Sequence, residues 1–157
     1  KGEEVEEVFD AISYCKGGSM VRMIHPVLGE SAFRKGLQIY FERHQYGNTE
    51  TTDLMKAWED ASGKPVAELM RSWTSQMGYP VLKVLNDPFE DGSGTIEVEQ
   101  TWFLGDGSEQ PGDAAKSWIV PLFTATDRGS GDENAFLRDQ HQKFPVRTEE
   151  AQWLKVN

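Results

Sequence analysis

Residues 66–85, VAELMRSWTSQMGYPVLKVL, contain the change of hydrophobic period that decides the fold class. Before Gly78 the apolar residues recur every three or four positions, which is typical of the buried face of an α-helix; they are Val66, Leu69, Met70, Trp73 and Met77. From Tyr79 onward the period is two, which is typical of a β-strand. The sequence therefore predicts helices before this point and strands after it, with Gly78 as the C-terminal cap of the last helix.

Three more helices are predicted upstream of this segment. Their apolar positions follow helical spacing and are Met20, Val21, Ile24 and Leu28 in the first, Phe33, Leu37, Tyr40, Phe41 and His44 in the second, and Leu54, Trp58 and Ala61 in the third. Pro26 lacks a backbone donor, so we expect a kink in the first helix. Thr51 or Thr52 is expected to cap the start of the third helix, and Gly63 to end it.

Downstream of Gly78, short alternating segments separated by glycine-rich loops predict an antiparallel β-sandwich. The predicted strands lie within residues 79–85, 96–104, 117–126, 135–137, 144–146 and 153–156. The predicted fold class is therefore α+β, with a helical part in residues 1–78 and the sandwich in residues 79–157. Bulky residues are expected to form the two cores, namely Trp58, Met70, Trp73 and Met77 in the first part and Trp102, Trp118 and Trp153 in the second.

The charge and composition of the chain exclude several classes of function. Its 16 basic and 26 acidic residues give a formal net charge of −10, without a basic stripe, which argues against nucleic-acid binding. No apolar run reaches the roughly 20 residues that span a bilayer, so no membrane segment is predicted. The single cysteine, Cys15, cannot form an internal disulfide, which favours a reducing compartment such as the cytoplasm.

Both ends of the sequence suggest a piece of a longer protein. The chain begins at Lys1 without an initiator methionine, and it ends at Asn157 directly after the strand-like residues WLKV. We therefore expect the predicted sandwich to be incomplete at its C-terminus.

Complete catalytic motifs are absent from the sequence. The three histidines, His25, His44 and His141, are far apart, and none has the four-residue spacing of an HExxH zinc site. The GxSxG motif and phosphate-binding glycine loops are missing as well, and Cys15 has no neighbouring histidine to activate it. We therefore expect no zinc or other cofactor bound to this chain, and a packing or capping role for His44.

Residues 9–23, FDAISYCKGGSMVRM, contain the one candidate catalytic residue, Tyr14. It precedes the pair Gly17–Gly18, which is expected to open the first helix and to allow close approach of another backbone. A tyrosine at such a turn is more often a packed residue than a functional one. From the residues alone, both roles of Tyr14 stay open.

The sequence resembles the puromycin-sensitive and alanyl aminopeptidase family of zinc metallopeptidases. The resemblance covers nearly the whole chain and follows one order through residues 9–23, LGESAFRKGLQIYFERHQYGNTETTDL, ASGKP, MRSWTSQMGYPVLKV, SWIVPL and WLKVN. It implies that residues 1–78 are the C-terminal part of a thermolysin-like catalytic domain. It also implies that residues 79–157 are most of the β-sandwich domain that follows.

The same resemblance implies a catalytic role for Tyr14. In this family, the tyrosine of the ISYxKG block donates its phenol hydrogen to the oxyanion formed when zinc-bound water attacks the peptide carbonyl, and Tyr14 matches that tyrosine. A phenol is protonated at neutral pH and can donate this hydrogen bond. The family's zinc ligands and amine-binding loop precede this block, so zinc is implied for the full-length enzyme and not for this chain.

Two functions are compatible with the sequence. The first is a fragment of a zinc aminopeptidase that removes N-terminal residues from peptides; the isolated chain would be inactive and would normally pack against upstream catalytic and downstream domains. The second is a non-catalytic interaction module of helices and a β-sandwich, which recruits a partner through its acidic surface.

Overall fold

A computed structural model describes residues 11–90, 92–103 and 116–157, with side chains from Tyr14 onward. Within these ranges, α-helices are followed by β-strands that pair antiparallel, so the predicted α+β class is confirmed. The chain divides into two compact units, Lys1–Met70 and Arg71–Asn157, which we call the helical unit and the strand unit. The boundary after residue 78, which the family resemblance implies, stays a prediction.

The helices form where apolar residues recur at helical spacing. Helix α1 is Ala11–Leu28, α2 is Glu30–His44, α3 is Thr51–Ser62 and α4 is Val66–Thr74. Their buried residues are Met20, Ile24, Val27 and Leu28 of α1, Gly36 of α2, Met55, Ala57 and Trp58 of α3, and Val66, Leu69 and Met70 of α4. In the part of the chain that the structure describes, no helix is both long and apolar enough to cross a membrane.

Trp58 is central to the core of the helical unit. Its side chain is 1% exposed, and its ring stacks on Phe33 with 5.1 Å between the ring centroids. The Trp58 Nε1–H donates a hydrogen bond to the Phe33 carbonyl at 3.2 Å. Gly36 of α2 lies against Trp58, and a Cβ at Gly36 would overlap the indole ring. The absence of a side chain at Gly36 therefore lets α2 and α3 pack closely.

Helix α1 differs from the prediction at its start. It begins at Ala11 and continues through Gly17–Gly18, so the glycine pair lies inside the helix and does not open it. Pro26 lies within the same helix, two residues before its end at Leu28. The Lys64 ammonium donates to the Val27 carbonyl at 2.6 Å and so satisfies an acceptor that the end of α1 leaves open.

The start of α3 was also predicted incorrectly. Glu50, rather than Thr51 or Thr52, is the N-cap residue, and the Asp53 carboxylate accepts a hydrogen bond from its backbone N–H at 2.9 Å. This contact belongs to the capping-box arrangement, in which cap and first turn bind each other. The end of α3 is as predicted, because Gly63 follows it in the left-handed conformation with φ of 69°.

Gly78 has a different role from the predicted helix cap. Helix α4 ends at Thr74, and Gly78 follows with φ of +86°, a conformation that favours glycine. A Cβ at Gly78 would overlap the indole nitrogen of Trp102. Gly78 therefore makes room for Trp102 beside the start of the first strand.

The strand unit contains three small sheets around one core. Its strands are β1 Tyr79–Val84, β2 Thr95–Phe103, β3 Val120–Pro121, β4 Thr124–Thr126, β5 Gly129–Ser130, β6 Phe136–Leu137, β7 His141–Pro145 and β8 Leu154–Val156. The strand orders are β1-β2-β7, β3-β6 and β5-β4-β8. The shared core consists of Ile96, Val98, Trp118, Val120, Leu122, Leu137 and Phe144, with Leu154 and Val156 packed against it. This antiparallel arrangement is consistent with the predicted sandwich.

Gln100 places a polar side chain inside this apolar core. It is 3% exposed, and its amide nitrogen donates to the carbonyls of Trp118 at 3.0 Å and Asp139 at 2.9 Å. Its amide oxygen accepts from the Trp118 N–H at 2.8 Å. One side chain of β2 therefore satisfies backbone groups of two segments that are distant in sequence.

Two of the predicted core residues are exposed. Met77 is 71% exposed because α4 ends before it, so the helical spacing no longer applies. Trp153 is 49% exposed and lies just before β8, outside the strand that was predicted to include it. The prediction is confirmed for Trp58 and Trp118, each 1% exposed.

Candidate functional site

Tyr14 lies near the start of α1, in a part of the helix outside the buried core. The helix begins at Ala11, and from Tyr14 onward its first buried side chain is that of Met20. The Tyr14 side chain is 63% exposed. Most of the Tyr14 side chain therefore lies at the surface of α1.

Two glycines lie close to Tyr14 along α1 and leave that part of the helix without side chains. Gly17 and Gly18 follow Tyr14 by three and four positions, so they lie on its side of the helix. A Cβ at either glycine would meet no described atom within 4 Å. The Ser19 hydroxyl donates to the carbonyl of Cys15 at 2.7 Å, and the Cys15 thiol is exposed. A bound chain could therefore approach this turn of α1 closely.

The three histidines contact partners within their own units. The Nε2 atom of His25 lies 2.7 Å from the Glu30 carboxylate, and that of His141 lies 2.7 Å from the Glu97 carboxylate. The half-buried His44 ring packs 5.5 Å from the Tyr40 ring, which agrees with the predicted packing role. Among the described residues, no group of three or more His, Cys, Asp and Glu side chains could hold a metal ion, so these residues do not fit a zinc site.

Glu30 contacts two side chains near the start of α2. Its carboxylate contacts the His25 ring and the Arg34 guanidinium. The hydrogen bond from His25, followed by that from Arg34, lowers the pKa of Glu30 below its usual value of 4.5. This cluster lies on the surface and has the character of an ion-pair network rather than of a catalytic pair.

A second concave site lies in the strand unit, where no site was predicted. Arg128 and Arg147 line a pocket together with residues of β4, β5 and β8. The two arginines are separated by β5, β6 and β7 along the chain, so no local motif connects them. Only the folded sheets reveal that they line the same pocket.

Residues 1–73 match the family described as the peptidase family M1 domain. Over 98% of its length, the chain is 40% identical to the puromycin-sensitive aminopeptidase of Caenorhabditis elegans. It is also 39% identical, over 100% of its length, to a Saccharomyces cerevisiae protein named aminopeptidase 2, mitochondrial. The chain belongs to peptidase family M1. A further M1 relative, aminopeptidase M1 of Arabidopsis thaliana, is 47% identical over 92% of the chain.

The M1 chain spans a small part of these relatives. It covers 16% of the worm and yeast proteins and 15% of the Arabidopsis protein. The family match ends at residue 73, close to the division between the helical and strand units after Met70. Peptidases of family M1 are in general zinc-dependent hydrolases.

Proposed function

We propose that this chain is part of a longer M1 aminopeptidase that removes N-terminal residues from peptides. The observation that carries the proposal is the 40% identity, over 98% of the chain, to a puromycin-sensitive aminopeptidase. This similarity includes both units. The proposal therefore assigns residues 1–78 to the end of the catalytic domain and residues 79–157 to most of the following β-sandwich.

In this proposal, Tyr14 donates its phenol hydrogen to the oxygen of the scissile carbonyl. Its place in the ISYCKG block and its exposure of 63% on α1 support this role. Negative charge develops on the carbonyl oxygen only on the way to the tetrahedral state, so the hydrogen bond favours the transition state over the bound substrate. Tyr14 would therefore raise the turnover rate and contribute little to substrate binding.

Zinc and peptide substrates belong to the proposed full-length enzyme, for which we also propose a cytoplasmic location. The described residues do not fit a zinc site. We therefore expect the 157-residue chain alone to lack aminopeptidase activity. Metal-dependent cleavage of an aminoacyl anilide by the purified chain would contradict this expectation.

The catalytic role of Tyr14 is tested by changing Tyr14→Phe in the full-length protein. The substitution keeps the ring and removes the hydrogen that would reach the oxyanion. We expect kcat to fall by roughly 10²–10³-fold with little change in KM, because the lost interaction acts in the transition state. The measurement is steady-state hydrolysis of aminoacyl anilides, with zinc content and melting temperature recorded for both proteins.

Tyr46→Phe is the matched control for this experiment. Tyr46 also belongs to the helical unit and is fully exposed, at 105% of its reference area. The control removes a phenol hydroxyl without touching the proposed site, so kcat should stay within about twofold of the parent. Normal turnover of Tyr14→Phe, with unchanged zinc content and stability, would refute the role of Tyr14.

The family match favours the aminopeptidase over a non-catalytic interaction module. The same full-length protein distinguishes the two. A well-folded, zinc-loaded protein without activity on any aminoacyl anilide would favour the interaction module.

A further inference from the structure

The strand unit contains a pocket lined by two arginines, Arg128 and Arg147. The pocket is shallow and open to solvent, with a cavity volume of about 30 Å³, and none of its lining residues is acidic. The two positive side chains therefore occur together in a chain whose formal net charge is −10. Because like charges repel, an anion bound between them would be stabilised by both.

The pocket also contains threonine hydroxyl groups. Thr124 and Thr126 point to the same face of β4, and Thr126 pairs with Leu154 of β8, so the three side chains share that face. The Thr126 hydroxyl already accepts a hydrogen bond from the Arg128 N–H at 3.1 Å. The half-buried Thr124 hydroxyl has no hydrogen-bond partner within the described ranges. Thr124 is therefore available as a donor to a ligand.

Arg128 is held in place through one edge of its guanidinium group. Its Nε–H donates to the Glu150 carbonyl at 3.1 Å, and the same Nε lies 3.8 Å from the Asp127 carboxylate. The other Asp127 oxygen accepts a hydrogen bond from the Gln152 N–H at 2.9 Å. These contacts use Nε, so the two Nη groups of Arg128 can form a bidentate contact with an anion.

Arg147 has no neutralising partner in the part of the chain that the structure describes. Its side chain is exposed and forms neither a hydrogen bond nor an ion pair with the described residues. Arg43 of the helical unit shows the contrast, since it pairs with Asp60 at 2.6 Å. Around the pocket, the described ion pairs therefore provide one carboxylate, that of Asp127, for two guanidinium groups.

We propose that this pocket binds a small oxyanion, namely a phosphate or carboxylate group. Arg128 and Arg147 would supply charge-assisted hydrogen bonds, and the Thr124 hydroxyl would supply a neutral one. The anion would come either from a free small molecule or from an acidic side chain of a longer protein. The proposal is independent of Tyr14 and of aminopeptidase activity, because the site lies entirely in the strand unit.

The test is a titration of the nitrogen-15-labelled chain with inorganic phosphate, followed by the amide signals of Gly129, Ser130 and Gly131. Sodium chloride keeps the ionic strength constant. We expect saturable shifts with a dissociation constant on the order of 1–10 mM. A parallel titration with acetate, which represents an acidic side chain, identifies the source of the anion. Tighter binding of phosphate than of acetate assigns the site to a free phosphate group. Equal or tighter binding of acetate assigns it to a carboxylate.

Substitutions in the pocket locate the binding site. Arg147→Gln removes one guanidinium and should weaken binding about tenfold. Lys155→Gln is the matched control, because it removes the same charge from β8 at a residue that does not line the pocket. The control should change the dissociation constant by less than about twofold. Thr124→Val keeps the side-chain shape, removes the hydroxyl and should weaken binding by a few-fold.

Three results would overturn the proposal. They are shifts that do not saturate, equal shifts produced by chloride alone, and a Lys155→Gln variant that loses as much affinity as Arg147→Gln. Amide signals of β1 and β2 report whether each variant is folded. If Arg147→Gln does not fold, the Arg128→Lys variant is measured in its place. A lysine keeps the charge but cannot form the bidentate contact, so phosphate should bind more weakly than to the parent. Equal affinity of this variant and the parent would overturn the proposal.

Discussion

The helical and strand units are held together by different kinds of contact. In the helical unit, stacked rings and close helix packing dominate, as in the contact of Phe33 with Trp58 and the position of Gly36 against the same indole. In the strand unit, a polar side chain lies inside the core and binds backbone groups that are distant in sequence. Gln100 binds the carbonyl of Asp139, and the Trp73 Nε1–H donates to the Ile119 carbonyl at 2.8 Å.

This difference indicates which substitutions each unit tolerates. A close-packed helical core depends on side-chain volume, because neighbouring atoms have little room to move. A sheet core with internal hydrogen bonds depends on chemical identity, since a buried polar group without a partner is destabilising. Changes of size should therefore matter most in the helical unit, and changes of polarity in the strand unit.

The largest expected effect is that of Gln100→Leu in the strand unit. Leucine is of similar size but leaves the N–H and carbonyl of Trp118 and the carbonyl of Asp139 without the partners that Gln100 supplies. We expect a loss of about 3 kcal/mol or more in the free energy of unfolding. Hydrogen exchange measured by mass spectrometry would show faster exchange in the strand unit.

Gln142→Leu is the control for this prediction. Gln142 lies on the neighbouring strand β7, and its side chain accepts one hydrogen bond, from the Arg138 N–H at 3.1 Å. Its substitution should cost about 1 kcal/mol. Equal losses of unfolding free energy for the two variants would contradict the proposed difference between the units. The hydrogen bonds of the buried Gln100 would then contribute no more to the stability of the strand unit than a surface hydrogen bond does.

A smaller effect is expected for Gly36→Ala in the helical unit. The added Cβ would overlap the Trp58 ring and lie 3.0 Å from the Trp58 Cα, which belongs to the backbone and cannot move aside easily. We expect a loss of about 1–3 kcal/mol, measured as faster hydrogen exchange of α2 and α3.

Gly17→Ala gives a control of opposite sign. A Cβ at Gly17 meets no described atom within 4 Å, so alanine gains helix propensity without a clash. We expect a gain of up to about 1 kcal/mol in the stability of α1. If Gly36→Ala were more stable than the parent, the claim that α2 and α3 leave no room for an added side chain would be wrong.

The smallest expected effect concerns the surface of the helical unit and the pH. The contacts with His25 and Arg34 lower the pKa of Glu30 below 4.5, so its stabilising contribution is present above that pH and is lost as the pH falls below it. The contribution is small because the pair is exposed and screened by salt. Urea unfolding of the parent and of Glu30→Gln should differ at pH 7 and converge in acid; a constant difference would refute the linkage.

The helices were predictable to a different degree from the strands. Apolar residues at helical spacing predicted α2 and α3, because that pattern repeats within a few residues along the chain, although Phe41 of the predicted α2 set is exposed. The start of α1 was missed, since Gly17–Gly18 is unfavourable in a helix by local propensity and yet lies inside one. The hydrogen bonds of Gln100 could not be predicted, because its partners belong to distant segments that only the folded sheets bring together.

The two candidate sites illustrate the same limit. Tyr14 was identifiable from a continuous block of sequence, and its catalytic role stays a prediction. The arginine pocket was not identifiable, because Arg128 follows β4 while Arg147 follows β7, and each residue alone is typical of a solvated surface. Local sequence patterns therefore predicted the candidate that lies in one continuous block, and missed the pocket whose residues are distant in sequence.

The thiol of Cys15 lies one residue from Tyr14, is exposed, and is the single cysteine of the chain. Maleimide reagents modify accessible thiols selectively, so one fluorophore can be attached at a known position without mutation. Its emission would change when other protein segments or a peptide approach this turn of α1. A residue without an assigned role thus provides an optical reporter beside Tyr14.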